Sequence, residues 1–327
     1  MYRIFGVELS PYSVKVRSYF RYKGIAHEWV ERNAANEAEF QKLAKLPLVP
    51  LVIAPDGATF QDSTPIIEHF ETLYPEPSIH PADPVASFVS ALLEEWADEW
   101  GNKWMFHMRW SRPADQEAAA AQIAATMTGA TGEELKRTTA FIKERMVGRV
   151  GFVGSNEQTG PQIETSYLEA LALLDAHLAA RPYLFGARPA FGDFGVWAEL
   201  YECSLDPTPG SWLREKAPHA AAYVERMKKP EALGAFEPWS ALAPTLEPLL
   251  AREAGARFLP WSDANARAIA AGESEFSIQL TDGLWTQKPQ KYHARSLAAL
   301  RAKYAAAKNP ALDDVLARAG CLKWLSQ

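Results

Sequence analysis

Over the first 80 positions the apolar residues come in short runs divided by polar turns, and from Pro84 onward they recur with the spacing of a helix. YRIFGV (2–7) is a mainly apolar run of strand length. Positions 11–23 place Val14, Val16 and Phe20 on one side, which predicts a helix, and HEWVE (27–31) reads as a second strand. The three pieces make a βαβ unit. After a polar stretch at 37–45, PLVIA and ATFQ flank Pro55-Asp56-Gly57, a turn signal that predicts two antiparallel strands in a hairpin. STPIIEHFETLYP then reads as a helix, with Ser63 or Thr64 as its cap and Pro65 in its first turn. The order is βαβαββα, a small mixed sheet packed with helices.

YPEPSIHPADP (74–84) is proline-rich and reads as an interdomain linker. Beyond it the pattern is helical to about Met227. Tyr167, Leu171, Leu174 and Leu178 fall on one stripe, and FGVWAELYEC continues in the same manner. Residues 111–135 are alanine-rich and broken by glycine, the weakest helical signal of this region. From about Lys229 the chain is broken by prolines. It holds FSIQLTDGLWT, whose Phe276, Ile278 and Leu280 alternate ahead of an Asp-Gly turn, and a final helix over 293–308. The expected units are 1–78, 84–235 and an extension over 236–327, and there is no internal repeat. The fold class is α/β plus all-α. The extension reads as a structural cover over the helical unit in preference to a lid on a site.

Composition narrows the function. The chain has 327 residues, 48% hydrophobic and 23% charged, within the globular norm. Its net charge of −6 and the absence of any long basic block argue against nucleic acid as a partner. No apolar stretch approaches a membrane span, and the N-terminus lacks a signal pattern, so a cytoplasmic location is expected. Cys203 and Cys321 are too few for a disulfide framework and match no metal spacing, so no metal is expected.

The chemistry centres on SPYS (10–13), at the mouth of the first strand-to-helix turn. Serine before a proline at the first helical position is a common cap, and read alone it carries no activity. Two further features accompany it within 63 residues: Leu48-Val49-Pro50 just before a strand, and Gln61-Asp62-Ser63 at the start of the next helix. Read alone, Asp62 and Ser63 are capping residues, and Pro50 is trans on base rates. As a set, over about residues 2–235, these features resemble the glutathione transferase superfamily. The resemblance implies a thioredoxin-like N-terminal domain that binds glutathione, followed by an all-helical domain. It gives Ser10 the place of the activating serine in serine-type members, with Ser13 or Tyr12 as alternatives. It makes Pro50 cis, with the Val49 backbone pairing with the cysteinyl part of glutathione, and it places the γ-glutamyl end on Asp62 and Ser63. One stretch departs from the family. PAFGDFG has Ala190 where Ser or Thr would complete a capping box with Asp193, so half of that box is missing.

These roles are physically reasonable. A free thiol titrates near about 8.5, and lowering that by two units corresponds to about 2.7 kcal/mol in favour of the anion. A helix N-terminus offers unpaired N–H groups and partial positive charge, and a serine hydroxyl there donates one more hydrogen bond. The helix start at Ser63 and Thr64 offers the same to the γ-glutamyl carboxylate, and Asp62 can pair with the ammonium. Lys15, Arg17 and Lys23 read most simply as solvated charges, although one could reach the glycyl carboxylate.

For the second substrate, EEWADEWGNKWMFHMRW (94–110) repeats Trp96, Trp100 and Trp104 every four residues. Such a stripe is either core packing or, with Met105, His107 and Met108, the wall of a site for a hydrophobic electrophile. His107 reads either as an acid-base group or as a packed side chain. The resemblance implies an enzyme in which glutathione, as co-substrate, attacks an electrophile by conjugation, substitution or ether cleavage, and it implies a homodimer. The rival reading is a carrier or scaffold that keeps the fold and binds glutathione or apolar ligands without chemistry.

Overall fold

The computed structural model describes residues 1–327. A four-stranded sheet of order β2-β1-β3-β4 is built from β1 (Tyr2–Gly6), β2 (His27–Glu31), β3 (Leu51–Ile53) and β4 (Thr59–Gln61). β2 runs parallel to β1, as the crossover through α1 (Pro11–Tyr22) requires, and β3 and β4 form the antiparallel hairpin. Its turn closes through Gly57 at φ 88°. α2 (Glu37–Leu43) and α3 (Ser63–Leu73) complete the βαβαββα order.

The alternation of β1 sorts the layers. Ile4 and Val52 face the side covered by α1 and α3, while Phe5, Leu51 and Ile53 meet Phe40 of α2 on the other. α1 itself is buried almost all round because it lies between this sheet and the helical unit. It ends at Lys23, where Gly24 at φ 63° takes the left-handed conformation that stops a helix.

The helical unit starts at α4 (Pro84–Trp96), whose cap Asp83 accepts from the Val85 and Ala86 amides through Oδ1 at 2.9 and 3.1 Å. A π-helical turn, Ala97–Gly101, joins α4 to α5 (Asn102–Ser111) without a break. α6 (Pro113–Thr128) and α7 (Gly132–Val147) fill the alanine-rich stretch, and α8 (Gly160–Leu178) carries the Tyr167–Leu178 stripe into the core. α9 (Phe191–Leu205) runs through the centre, with α10 (Pro207–Lys216) and α11 (Pro218–Met227) after it. Gly192 and Gly195 let α9 close on α4, since a Cβ at either would meet the α4 backbone within 2.7 to 3.1 Å. Half of the box at α9 forms: Asp193 accepts from the Ala190 amide and also from the Leu184 amide, both at 2.8 Å, while the Asp193 amide, which the missing hydroxyl would have accepted from, donates to the Ala190 carbonyl at 3.0 Å.

The extension is where the sequence reading needs correction. It contains α12 (Trp239–Leu249), a nine-residue π-helical segment (Leu250–Phe258) and α13 (Leu259–Ala271) as one continuous helix, in spite of Pro244 and Pro248. Both prolines lie on the solvent side, while Leu242, Leu246, Leu249 and Leu250 are buried, so packing of one face outweighs the lost backbone bonds. The hairpin β5 (Phe276–Leu280) and β6 (Gly283–Gln287) forms as its alternation predicts. α14 (Lys291–Ala307) follows, and then α15 (Pro310–Arg318) and α16 (Leu322–Leu325), which the sequence reading omitted. Trp261, Trp285, Leu297 and Leu300 share one continuous core with Trp96 and Trp100, so the extension is part of the helical body. No helix is long and apolar enough to cross a membrane.

Candidate active site

Register brings three distant segments to one end of the sheet. Phe5 pairs with Leu51, and Leu51 with Gln61, so the chain leaving β1, entering β3 and leaving β4 passes the same edge. Ser10, Val49-Pro50 and Asp62-Ser63 belong to those segments.

Ser10 caps α1 with extended backbone, φ −130° and ψ 111°. Its Oγ accepts from the Ser13 amide at 3.4 Å and from Ser13 Oγ at 3.1 Å. The Ser10 proton is therefore left to donate outward, and an oxygen that accepts two hydrogen bonds is a stronger donor. Ser13 is fully buried and its hydroxyl is spent on Ser10. Tyr12 donates to the Asp98 carbonyl at 3.1 Å and accepts from Asn102 Nδ2 at 3.0 Å, and burial pushes its phenol well above the ordinary range. Of the three hydroxyls of SPYS, Ser10 has the uncommitted proton.

The Val49-Pro50 bond is cis. Val49 lies just before the β3 ladder, and its N–H and C=O take no part in the hydrogen bonds of the turns and loops. Asp62, at φ 76°, holds the one positive φ outside glycine. Such a conformation costs about 1–3 kcal/mol and persists where surrounding structure enforces it, often at a binding site. It directs the backbone from β4 into α3, whose first residue, Ser63, is 2% exposed. Burial pushes the Asp62 carboxyl up, against the pull of a hydrogen bond from Tyr292.

Lys15, Arg17 and Lys23 are not solvated, which corrects the sequence reading. Lys15 is fully buried; its Nζ contacts Glu94, Asp98 Oδ2 at 2.6 Å and Thr64 Oγ1 at 3.2 Å. Arg17 makes a fork with Glu8 at 2.6 and 2.8 Å and lies 4.3 Å from the Trp29 ring centre. Lys23 pairs with Glu71 at 2.7 Å. A solvent-facing reading fails because the second unit covers Lys15, while Arg17 and Lys23 fold back onto acids of their own unit.

Comparison with known families supports the fold. The family models for the glutathione S-transferase N-terminal domain and C-terminal domain match residues 4–78 and 133–226, together just over half the chain. The chain belongs to the glutathione S-transferase superfamily. It is 30% identical over 147 residues to a probable glutathione S-transferase of Oryza sativa subsp. japonica, covering 40% of this chain and 60% of that protein. It is 24% identical over 156 residues to the glutathione S-transferase omega-1 of Rattus norvegicus, covering 47% of this chain and 60% of that protein. The matches thus span about three fifths of the length of these curated relatives. Among solved structures, the β-etherase LigF of Sphingobium sp. strain SYK-6 aligns at 20% identity over 76% of this chain and 99% of its own, with a TM-score of 0.51.

Within this superfamily chain, the tryptophan stripe is core and not a cleft wall. Trp96, Trp100, Trp104 and Met108 are each at most 1% exposed, and the Trp100 and Trp104 indoles both donate to Ser166 Oγ at 2.9 Å. The π-helical turn also disrupts the four-residue register. Trp96 packs edge-on against Trp104 at 5.2 Å, whereas Trp100 turns to Trp261 and Trp285 of the extension. Those rings enclose the buried Lys103 Nζ, which lies 3.7 Å from the Trp261 centre and donates to the Val153 carbonyl at 3.3 Å. Met105 is 7% exposed.

His107 is also packed. Its Nδ1 lies 2.7 Å from Ser155 Oγ and its Nε2 3.2 Å from Glu164 Oε1, a serine–histidine–acid sequence of contacts. The Ser155 amide bonds Val150 and the Asn156 amide bonds Thr159, so these two donors are already committed and do not form an oxyanion pocket. The contacts tie α5, α8 and the loop at 154–156 together.

One contact at this sheet end lay beyond sequence reasoning. Tyr292, at the start of α14, donates to Asp62 Oδ2 at 3.0 Å across 230 positions. No local motif signals a pairing at that separation.

Proposed function

We propose that this chain is a glutathione transferase in which Ser10 and the N-terminus of α1 hold the glutathione sulfur as thiolate for attack on an electrophile. The observation that carries the reading is the Ser13-to-Ser10 hydrogen bond, which makes Ser10 Oγ a double acceptor and leaves its proton for an incoming anion. Val49, with its free backbone groups before the cis proline, would pair with the cysteinyl unit as an added strand segment. The amide end of α3 at Ser63 and Thr64 would take the γ-glutamyl carboxylate, and Asp62 its ammonium. Ser10 stabilises S⁻ without becoming a nucleophile, and the sulfur forms the new bond to carbon as the leaving group departs. A homodimer belongs to the same reading.

An ultraviolet difference titration of bound glutathione tests it. The wild-type thiol is expected to titrate about two units below its free value, and Ser10→Ala to return about one unit of that shift. Ser13→Ala is expected to have a smaller effect, because it removes only the bond that polarises Ser10. A bound thiol that titrates as in free solution would overturn the catalytic reading. The burial of Trp96, Trp100 and Trp104 removes the proposed aromatic wall and favours, as a second reading, a carrier that binds glutathione without activating it. Retained binding with an unshifted thiol is that reading's signature.

A further inference from the structure

The start of α14 sits beside the sheet end that carries Asp62. Tyr292 bonds Asp62; the next residue, His293, lies against Glu99 of the π-helical turn; and Ser296 donates to Glu99 Oε1 at 2.9 Å. Further along the same helix, Lys303 pairs with Glu68 of α3 at 2.6 Å. The helix is thus fastened both to α3, which follows Asp62, and to the turn that faces it across the domain boundary. Asp62 accepts from Tyr292 through one carboxylate oxygen, and its other oxygen accepts from no side chain.

We propose that the start of α14 forms one side of the glutathione site, with Tyr292 as a positioning residue that fixes Asp62 so that the remaining acceptor capacity of its carboxylate meets the α-ammonium of the γ-glutamyl group. The inference rests on the assignment of Asp62 under the proposed function. A carboxylate has room for both partners, since each oxygen accepts two hydrogen bonds. The tyrosine bond also restrains a residue whose backbone is held at φ 76°, where loss of a supporting contact would let the side chain turn away. The extension, whose residues the two family models do not match, then acts in recognition of the γ-glutamyl end and not only as a cover.

Calorimetric titration of the full chain with glutathione and with cysteinylglycine, which keeps the thiol and glycyl ends but lacks the γ-glutamyl group, tests this. Tyr292→Phe is expected to weaken glutathione about five- to twentyfold, at or below the lower end of what a hydrogen bond to a charged group supplies because the pair is exposed to solvent, and to leave cysteinylglycine unchanged. In an Asp62→Asn background the same substitution is expected to have little further effect. The thermal midpoint of Tyr292→Phe serves as the control for a structural role and is expected to stay at the wild-type value. Equal weakening of both ligands, full additivity with Asp62→Asn, or unchanged glutathione affinity would each overturn the proposal. Absence of glutathione binding by the wild type would overturn the proposed function itself, an outcome distinct from an inert Tyr292.

Discussion

Lys15→Met is expected to unfold at much lower urea concentration than the wild type, with a loss of about 3–5 kcal/mol. Lys15 lies on α1 but its charge is used across the domain boundary, where Glu94 and Asp98 of the helical unit and Thr64 of α3 meet its Nζ. Glu94 in turn accepts from Thr64 Oγ1 at 2.5 Å. Removing the amine strands two buried carboxylates with no water to replace it, and the cost of an unpaired buried charge exceeds the net worth of the pair. Burial acts to lower the Lys15 pKa, but the two acids reverse this and raise it, so the group stays charged throughout the accessible range. A triple variant, Lys15→Met with Glu94→Leu and Asp98→Leu, is expected to recover most of the loss, because it removes the charges together. If Lys15→Met lies within about 1 kcal/mol of wild type, the interface is held by packing and the ion cluster is incidental. The two units share one continuous core, so a single unfolding transition is expected.

The same boundary explains what the sequence did and did not disclose. Local signals sufficed for the sheet: strand lengths, the Pro-Asp-Gly turn and the cap at Ser10 depend on neighbours within a few residues. The edge that gathers Ser10, Pro50 and Asp62 was legible as a set of features, because register in so small a sheet leaves few alternatives. Side chains facing another unit were not. Lys15 reads as exposed on a helical wheel, and Trp96, Trp100 and Trp104 read as one face, until the helical unit and the π-helical turn are known. Prolines at 244 and 248 read as breaks, although four-residue spacing puts both on the same solvent side of a helix whose other side is buried. Contacts such as Tyr292 to Asp62 depend wholly on how the extension folds back, and neither residue carries a local sign of the other.

Glu95→Gln is expected to become progressively more stable relative to wild type as pH rises, gaining on the order of 3 kcal/mol between pH 5 and pH 8.5. Glu95 is 8% exposed, and its Oε1 is buried without a partner. Burial, then Glu94 and Asp98, push its carboxyl up to about 8, while Lys303 and Lys15 act in the opposite direction. In the unfolded chain the same group ionises near 4.5. Between these values the folded state holds a proton that the unfolded state has released, so unfolding is favoured as pH rises, and the effect is complete above the folded value. Glutamine mimics the protonated form and abolishes this contribution. His177 and His293, both pushed down to about 4 by burial, act in the other direction and only below about pH 6.5, and both are common to the two proteins. Urea unfolding of both at pH 5, 7 and 8.5 measures the difference directly. A difference that does not change with pH would show that Glu95 is already ionised in the folded protein at pH 5. Lys303 of the extension would then be the charge that compensates it, and α14 would stabilise the boundary electrostatically as well as by packing.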